Sequence, residues 1–408
     1  MANEASSSSS SRIAFAFDID GVLVKGTHPI PGAQAVLRKL QDKKIPFILL
    51  TNGGGHTEEA HVARLGQRLG LALDPRQFVQ SHTPYLDLVP RYRDETILAL
   101  GGHGPQIRDL ARAYGFRRVV TSSDVAVSTE HTHPFPEMTG AHHEEHGRRL
   151  LHLHHHHQET LALRDDDGDS DGNLTRIAAI FVFSSPRDWC LDLQVVADLL
   201  LSRGGVLGGP RSAKNGDPTL PNCGYQQDGQ PELLFCNPDL EWATQHRHPR
   251  LAQGAFRAAL AGVWRELTKG RAELRFGICG KPSQTTFMYA EKTLVGFAAS
   301  GRAVGGSDGG GGSGGGVSDV NGEGGRGREG GVAGVGANAG IKTVYMVGDN
   351  PESDIAGANA YSSQVGLEWK SVLVETGVHV SGTRPAHQPT HIASNVKKAV
   401  EWALSQEG

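Results

Sequence analysis

The sequence contains few cysteines and no long apolar run. Its four cysteines, among 408 residues, are widely spaced and form no C-x-x-C pair, which excludes a disulfide framework and the common structural zinc sites. No segment approaches the roughly 20 apolar residues that span a bilayer, and the N-terminus has neither region of a signal peptide. We therefore expect a soluble, intracellular protein without a membrane span. The cysteines are Cys190, Cys223, Cys236 and Cys279.

The sequence also has no large excess of positive or negative charge. The chain has 40 Lys and Arg against 44 Asp and Glu, a formal net charge of -4, and no basic run stands beside aromatic residues. It offers no positive field for a nucleic acid backbone, so we expect no nucleic acid partner. The Ser-rich start is similar to an organelle transit peptide, although Glu4 is acidic. The protein is therefore expected in the cytoplasm, with the mitochondrion as the alternative.

Apolar strands alternate with amphipathic helices at both ends of the chain. Residues 13–85 and 273–408 share this alternation, which is typical of a parallel sheet covered on both faces. Residues 86–272 contain a separate α/β set of their own. The sequence therefore predicts a doubly wound, Rossmann-like parallel-sheet core with an α/β cap domain inserted into it.

Three segments belong to neither domain. Residues 1–12, the His- and Asp-rich residues 130–173 and the Gly-rich residues 301–340 bury too little apolar surface to offset the entropy of ordering, so we expect them to be disordered. A histidine cluster within the second segment could bind a transition metal adventitiously, although an insertion of biased composition explains it more simply. The clustered histidines are His152, His154, His155, His156 and His157.

Two carboxylates follow the first predicted strand. Asp18 and Asp20 stand two residues apart where the strand ends, at the edge where open α/β folds bind ligands. Such a pair suits phosphoryl transfer, because one carboxylate attacks phosphorus and the other protonates the leaving oxygen and then activates water. Alone, the pair is equally consistent with a helix cap or a solvated turn.

Polar groups that suit a phosphate follow two other predicted strands. Thr51, Asn52 and Gly53 offer a hydroxyl, an amide and backbone N–H groups ahead of a helix, although Asn-Gly also simply makes turns. Lys281 follows a later strand, where its charge would neutralise the phosphate and the aspartate during transfer. A surface lysine is the commoner case.

A second acidic strand end lies near the C-terminus. Gly348-Asp349-Asn350-Pro351-Glu352-Ser353-Asp354 follows an apolar strand. Because Mg²⁺ prefers oxygen ligands, Asp18, the Asp20 carbonyl and Asp349 could hold it, with Asp354 in support. A helix-start acid favoured by the helix dipole is the alternative for Asp354. Four such elements in one order are improbable as independent accidents, so the sequence predicts a magnesium site.

The motifs D-x-D-G-V from Asp18, Thr-Asn from Thr51, Gly-Lys-Pro around Lys281 and GDNPESDI around Asp349 resemble those of haloacid dehalogenase-like hydrolases with a large α/β cap. Stretches such as FVFSSPRDWCLDLQ, NPDLEWA and LAQGAFRAAL are similar to the cat eye syndrome critical region protein five family. The resemblance implies Asp18 as nucleophile and Asp20 as acid and base. It implies that Thr51 and Asn52 bind the phosphate, that Lys281 compensates charge and that Asp349 binds magnesium. Asp239 is by the same resemblance a specificity candidate, with a plain loop turn as the equal alternative.

These motifs predict a magnesium-dependent phosphatase acting on a small phosphorylated metabolite through an aspartyl phosphate. The family resemblance further implies glycerophospholipid metabolism and mitochondria. A dehalogenase is disfavoured, because Asp20 and Asp349 are the acids that such enzymes lack. The remaining alternative is a catalytically weak or inactive binding or scaffold protein that keeps the hydrolase fold. The substrate stays open, since one sequence gives no pocket shape.

Overall fold

The computed structural model describes residues 12–150, 175–242, 246–303 and 338–406. Disorder is expected for residues 1–12 and 301–340, and most of both segments lies outside the described residues. The histidine cluster between residues 152 and 157 also lies outside them. No helix in the described part of the chain combines the length and apolar character needed to cross a bilayer.

The chain begins with the first half of the core, which we define as the six-stranded sheet and its helices. Thr57 caps one helix of this half, accepting a hydrogen bond from the Ala60 N–H at 3.3 Å, and Gly70 ends it in the left-handed conformation. The elements are β1 (Ile13–Phe17), β2 (Val24–Lys25), β3 (His28–Pro29), α1 (Ala33–Asp42), β4 (Phe47–Leu50), α2 (Glu58–Leu69) and β5 (Phe78–Val79).

The cap, defined as the five-stranded sheet and its helices, follows. Its elements are α3 (Val89–Tyr92), β6 (Thr96–Leu100), α4 (Gln106–Tyr114), β7 (Arg118–Val120), α5 (Ser122–Ser128), α6 (Gly140–His146), β8 (Ala179–Val182), α7 (Trp189–Leu201), β9 (Glu232–Phe235), β10 (Glu241–Trp242), β11 (Arg250–Leu251), α8 (Gln253–Leu267) and β12 (Gly277–Ile278). The core then resumes with α9 (Gln284–Ala303), β13 (Thr343–Gly348), α10 (Ala356–Ala360), β14 (Glu368–Val374), β15 (His391–Ala393) and α11 (Val396–Ser405).

The core sheet has the strand order β15-β14-β13-β1-β4-β5, and its neighbouring strands are parallel. Strand β1 is buried along its whole length because helices cover both faces. Phe15 and Phe17 pack towards α1, α2 and α11, whereas Ala14 and Ala16 pack towards α9. This two-sided burial explains the uninterrupted apolar strands, and the predicted doubly wound α/β fold class is confirmed.

The cap sheet has the order β12-β9-β8-β6-β7 and is also parallel. Strand β12, the last strand of the cap along the chain, corrects the expected boundary between cap and core at residues 272 and 273. Gly277 and Ile278 pair with Leu234 and Phe235 of β9, so the chain stays in the cap until Ile278 and returns to the core at about Gly280. A two-residue strand containing glycine has no apolar periodicity by which its sheet could be recognised.

The disorder expected for residues 130–173 is wrong for the part that the structure describes. Residues 130–150 include α6 and pack against the N-terminus of α7. Polar contacts order this segment, since Asp188 accepts hydrogen bonds from the Thr139 hydroxyl at 2.6 Å and from ring nitrogens of His133 and His143. The apolar-burial argument missed it for that reason. Residues 151–173 lie outside the described part of the chain.

Asp192, in the first turn of α7, makes folding stability depend on pH. It is 4% exposed, the Ser122 hydroxyl donates to it, and burial raises its pKa to about 7. An acid whose pKa is raised by folding contributes its full stabilisation at pH values below the pKa it has in the unfolded chain. That stabilisation is lost as the pH rises through the folded-state pKa of about 7. At about 1.4 kcal/mol per pKa unit, Asp192→Asn should therefore raise the free energy of unfolding above that pH by up to roughly 4 kcal/mol.

Urea unfolding of both proteins at about pH 5 and about pH 9 checks this difference. The exposed Asp198 on the same helix supplies the matched control Asp198→Asn, which should leave the pH dependence unchanged. An equal pH dependence in wild type and Asp192→Asn would contradict the prediction.

Candidate active site

The carboxyl ends of β1 and β13 bring two predicted acids together. These strands are adjacent and parallel, with Phe17 opposite Val347, and the Asp18 N–H donates to the Val347 carbonyl at 2.9 Å. Asp18 follows β1 and Asp349 follows β13, so both carboxylates lie at one edge of the core sheet. Asp18 is 6% exposed and Asp349 is 3% exposed.

Lys281 lies at the centre of this edge. Its ammonium group donates to Asp18 Oδ1 at 2.6 Å, to Asp354 Oδ1 at 2.6 Å and to the Leu50 carbonyl at 2.9 Å. The side chain is buried, which opposes its charge, but the two carboxylates outweigh that effect and raise its pKa. Lys281 is therefore a permanent cation beside Asp18, and the alternative of an exposed surface lysine is wrong.

Three buried carboxylates share this site. One ligand oxygen each of Asp18, Asp349 and Asp354 lies within 4.8 Å of the others, and Lys281 supplies a single positive charge against them. Burial raises the pKa of Asp18 well above its ordinary value and that of Asp349 to about 7, and the charge of Asp354 adds to both effects. Crowded oxygen ligands with excess negative charge fit a divalent cation such as Mg²⁺.

Asp354 organises the loop after β13. Its Oδ2 accepts hydrogen bonds from the N–H groups of Asp349 and Asn350, both at 3.1 Å, while Oδ1 accepts from Lys281. Both oxygens therefore already have partners. We expect Asp354 to act on a metal through Lys281 and Asp349 more than by direct ligation, and its supporting position at the metal stays a prediction.

Two glycines allow the backbone to pass over Asp349. Gly21 has a φ of 86°, and a Cβ added there would lie 2.5 Å from Asp349 Oδ2. A Cβ added to Gly377 would collide with the same oxygen. The adjacent Val378 N–H donates to Asp349 Oδ2 at 2.6 Å and holds the carboxylate in place.

Asp20 lies at the mouth of the site, where its side chain is exposed. Partial removal from bulk water raises its pKa, against the attraction of Arg68 and Lys281. Among the described residues, none donates a hydrogen bond to its carboxylate. An acid with a raised pKa at the mouth of the site suits a group that protonates a departing oxygen.

The predicted phosphate-binding residues follow β4. Thr51 is buried, and its hydroxyl accepts a hydrogen bond from the Gly53 N–H at 3.0 Å. The Asn52 amide instead holds the Lys281 segment, donating to the Lys281 carbonyl at 2.9 Å and accepting from the Lys281 N–H at 2.7 Å. Asn52 thus positions the lysine in this structure, and its contact with phosphate stays a prediction.

Asp239 joins the cap to this site. Asn52 donates to both of its carboxylate oxygens, at 3.1 and 3.2 Å, and Asn237 donates to the Asn52 carbonyl at 2.9 Å. Burial raises the pKa of Asp239 to about 6. The candidate specificity residue is therefore in direct contact with a residue that holds Lys281.

The sequence reasoning missed Gly377 and Val378. Neither residue carries a reactive side chain, and Val378 contributes only its N–H group. The available signal was their position just after an apolar strand, where the carboxyl ends of parallel strands meet.

Comparisons with known proteins agree with this arrangement. Residues 15–117 match the family model described as haloacid dehalogenase-like hydrolase, and residues 278–399 match a second model described as HAD-hydrolase-like. A mitochondrial hydrolase of Saccharomyces cerevisiae is 33% identical over 398 residues, which is 97% of this chain and 97% of the yeast protein.

Two further relatives extend the comparison. A cardiolipin synthase (CMP-forming) / mitochondrial hydrolase fusion protein of Schizosaccharomyces pombe is 34% identical over 97% of this chain, which spans 53% of the fusion. The crystallised p-nitrophenyl phosphatase from Archaeoglobus fulgidus has a TM-score of 0.54 at 15% identity, covering 96% of this chain and 98% of that protein. This last likeness supports the fold.

Proposed function

Because this chain belongs to the haloacid dehalogenase-like hydrolase family, we propose that it is a magnesium-dependent phosphatase in which Asp18 forms an aspartyl phosphate. The observation that carries the proposal is the buried group of Asp18, Lys281 and Asp349 at one edge of the core sheet. Chemistry of this kind needs a carboxylate nucleophile and charge compensation around the phosphoryl group; Asp18 is the candidate nucleophile and Lys281 supplies compensating charge beside it.

The residues divide the two steps between them. A carboxylate oxygen of Asp18 attacks phosphorus while Asp20 gives its proton to the departing oxygen of the substrate. Asp20, now ionised, takes a proton from water, and the water attacks the phosphorus of the aspartyl phosphate. The bond between phosphorus and the Asp18 oxygen breaks, phosphate leaves and the carboxylate is regenerated. The Lys281 ammonium lowers the pKa of Asp18 against the effect of burial, which favours the ionised nucleophile, and it balances negative charge in both steps.

Asp18, Asp349 and the Asp20 carbonyl would hold Mg²⁺. When bound, the ion supplies positive charge that offsets the crowded carboxylates and the phosphoryl oxygens. Thr51 and the N–H groups after it are the donors that we expect on the phosphate.

Asp349→Asn should weaken magnesium binding by about 10- to 100-fold, because it removes one of the charged ligands while Asn keeps the shape and can accept the Val378 N–H. Isothermal titration with Mg²⁺ measures the change, and the exposed Asp42→Asn serves as the matched control. Unchanged magnesium affinity would show that Asp349 is not a ligand of the metal.

The substrate class is a small phosphorylated metabolite. The fusion of a related hydrolase to a cardiolipin synthase supports a link to glycerophospholipid metabolism. Leu240 and Trp242, each 57% exposed, follow Asp239 in the cap and offer apolar surface beside the site. Both yeast proteins are named as mitochondrial, which supports a mitochondrial location, and microscopy of the tagged protein with a matrix marker would test it.

A phosphate-release panel tests the proposal. It contains p-nitrophenyl phosphate, sugar phosphates, glycerol phosphates and phosphorylated glycerolipids in micelles, each with and without Mg²⁺. Release that requires both Mg²⁺ and Asp18 would establish the phosphatase, and preference for the glycerol compounds would support the narrower substrate class. Absence of release across the panel would favour the alternative of a binding or scaffold protein.

A further inference from the structure

The cap sheet has a ligand crevice of its own. The chain passes from β6 to β7 on one side and then returns to β8 on the other, so the connections diverge between β6 and β8. In open α/β sheets, such a switch point opens a crevice at the carboxyl ends of the strands. A cavity of ≈ 190 Å³ lies there, bordered by the turns that follow all three strands. The bordering residues used below are Ser123, Thr139, His143 and Asp188.

Three side chains that could ligate a metal converge beside this crevice, and two of them, His143 and Asp188, border the cavity. Asp188 Oδ2 lies 2.8 Å from His133 Nε2 and 3.1 Å from His143 Nε2, and all three ligand atoms lie within 4.8 Å of one another. The side chains are 14%, 7% and 8% exposed, respectively. Residues 133 and 143 come from the segment 130–150, and Asp188 precedes α7, so the convergence arises from tertiary folding and not from sequence proximity.

We propose that His133, His143 and Asp188 form a transition-metal site of the Zn²⁺ class in the cap, with an open coordination position towards the cavity. Two imidazoles and one carboxylate are a ligand set that zinc uses when it keeps one position open. Imidazole ligands favour Zn²⁺ over Mg²⁺, so this site differs in kind from the all-oxygen site of Asp18 and Asp349.

The neighbours of two of the ligands already suit a metal. Asp188 Oδ1 caps α7 by accepting the Leu191 N–H at 3.1 Å, which fixes the carboxylate and leaves Oδ2 directed at the histidines. The Ser123 hydroxyl lies 3.0 Å from His143 Nδ1 and can accept a hydrogen bond from it; in that tautomer Nε2, which faces Asp188, carries no proton and can bind a cation. An outer hydrogen bond of this kind orients metal-binding histidines in general.

The third ligand requires a local change. The Phe135 N–H donates to His133 Nδ1 at 3.2 Å, so Nδ1 accepts and Nε2 carries the proton. Metal binding through Nε2 needs the opposite tautomer, in which Nδ1 carries the proton. The Phe135 backbone must then turn away, and the 70% exposed Phe135 side chain offers little resistance. Thr139, which donates to Asp188 Oδ2 at 2.6 Å, must also redirect its hydroxyl.

The competing explanation is a purely structural hydrogen-bond network around the helix cap. Both explanations predict that the segment 130–150 packs on α7. They differ in two measurable respects, because only a metal site binds Zn²⁺ with defined stoichiometry and releases the Phe135 N–H as it does so.

The test uses a full-length background in which His152, His154, His155, His156 and His157 are replaced by Ala, which removes the adventitious histidine cluster. Zn²⁺ binding is titrated calorimetrically, and Co²⁺ binding by visible absorption, with Mg²⁺ in excess to compete at the carboxylate site. The variants are His143→Gln and Asp188→Asn, and His131→Gln, an exposed residue of the same segment, is the matched control.

We expect one equivalent of Zn²⁺ in the background and in the control, with an affinity at least about 100-fold lower in both ligand variants. Zn²⁺ should raise the melting temperature of the background but not of His143→Gln. Hydrogen exchange at Phe135 should become faster with Zn²⁺. Equal melting temperatures without metal would show that the variants fold. No binding, or equal affinity in background and variants, would overturn the proposal and leave the structural network.

Discussion

Asp18→Asn should reduce phosphate release by at least about 10³-fold, as removal of a covalent nucleophile does in other hydrolases. The amide keeps the size of the carboxylate and can still approach Lys281, but its oxygen cannot attack phosphorus at a useful rate. Steady-state release of phosphate from the best substrate of the panel, with saturating Mg²⁺, measures the loss.

The fold of Asp18→Asn should survive, because the change removes one of three crowded carboxylates and so reduces their repulsion. Its circular dichroism spectrum and melting temperature provide that check. Wild-type turnover in a folded Asp18→Asn protein would rule out Asp18 as nucleophile, whatever the metal dependence.

Lys281→Met should lose activity and also lose stability by roughly 3–5 kcal/mol, the range for breaking a buried ion pair from one side. Met fills a similar volume, so the loss reflects charge. Without the ammonium group, Asp18 and Asp354 remain buried with no cation among the described residues within hydrogen-bond distance, and the Leu50 carbonyl loses the Lys281 donor. Urea unfolding without metal measures the change in the free energy of unfolding.

Lys292→Met is the matched control for this change. Lys292 is a surface lysine, 73% exposed, that lies 3.5 Å from Asp87. Exposed pairs of this kind contribute roughly 0–1 kcal/mol to stability, so the free energy of unfolding of the control should be close to that of the wild type. Equal unfolding free energies for the two variants would mean that Lys281 is not the cation that compensates the buried carboxylates. Partial recovery of stability with Mg²⁺ would support a shared role for lysine and metal.

The sequence identified the core and its acidic strand ends because both depend on local patterns. Strands such as β1 are apolar throughout, and parallel strands bring their carboxyl ends to one edge. Asp18 and Asp349 could therefore be placed together before the sheet order was known. That β1 and β13 are direct neighbours, which sets the distance between the two acids, is not visible in the sequence.

The contacts that sequence reasoning missed are long-range or use the backbone. Asn52 and Asp239 are 187 residues apart, and no sequence pattern in either segment predicts their hydrogen bond. The Val378 N–H acts on Asp349 whatever side chain Val378 carries. The ordering of residues 130–150 depends on Asp188, which lies beyond the intervening low-complexity stretch, so composition alone gave the wrong answer there.

The close passage of Gly21 and Gly377 over Asp349 limits which substitutions a population of variants can accept. Gly21 and Gly26 both have positive φ, but a Cβ at Gly26 would have no described atom within 4 Å, whereas one at Gly21 would collide with the Asp349 carboxylate. In a saturation library selected for function, position 26 should therefore retain several residue types, and positions 21 and 377 only glycine. The substitutions tolerated at these glycines would then depend more on the distance from Asp349 Oδ2 than on the backbone conformation of each glycine.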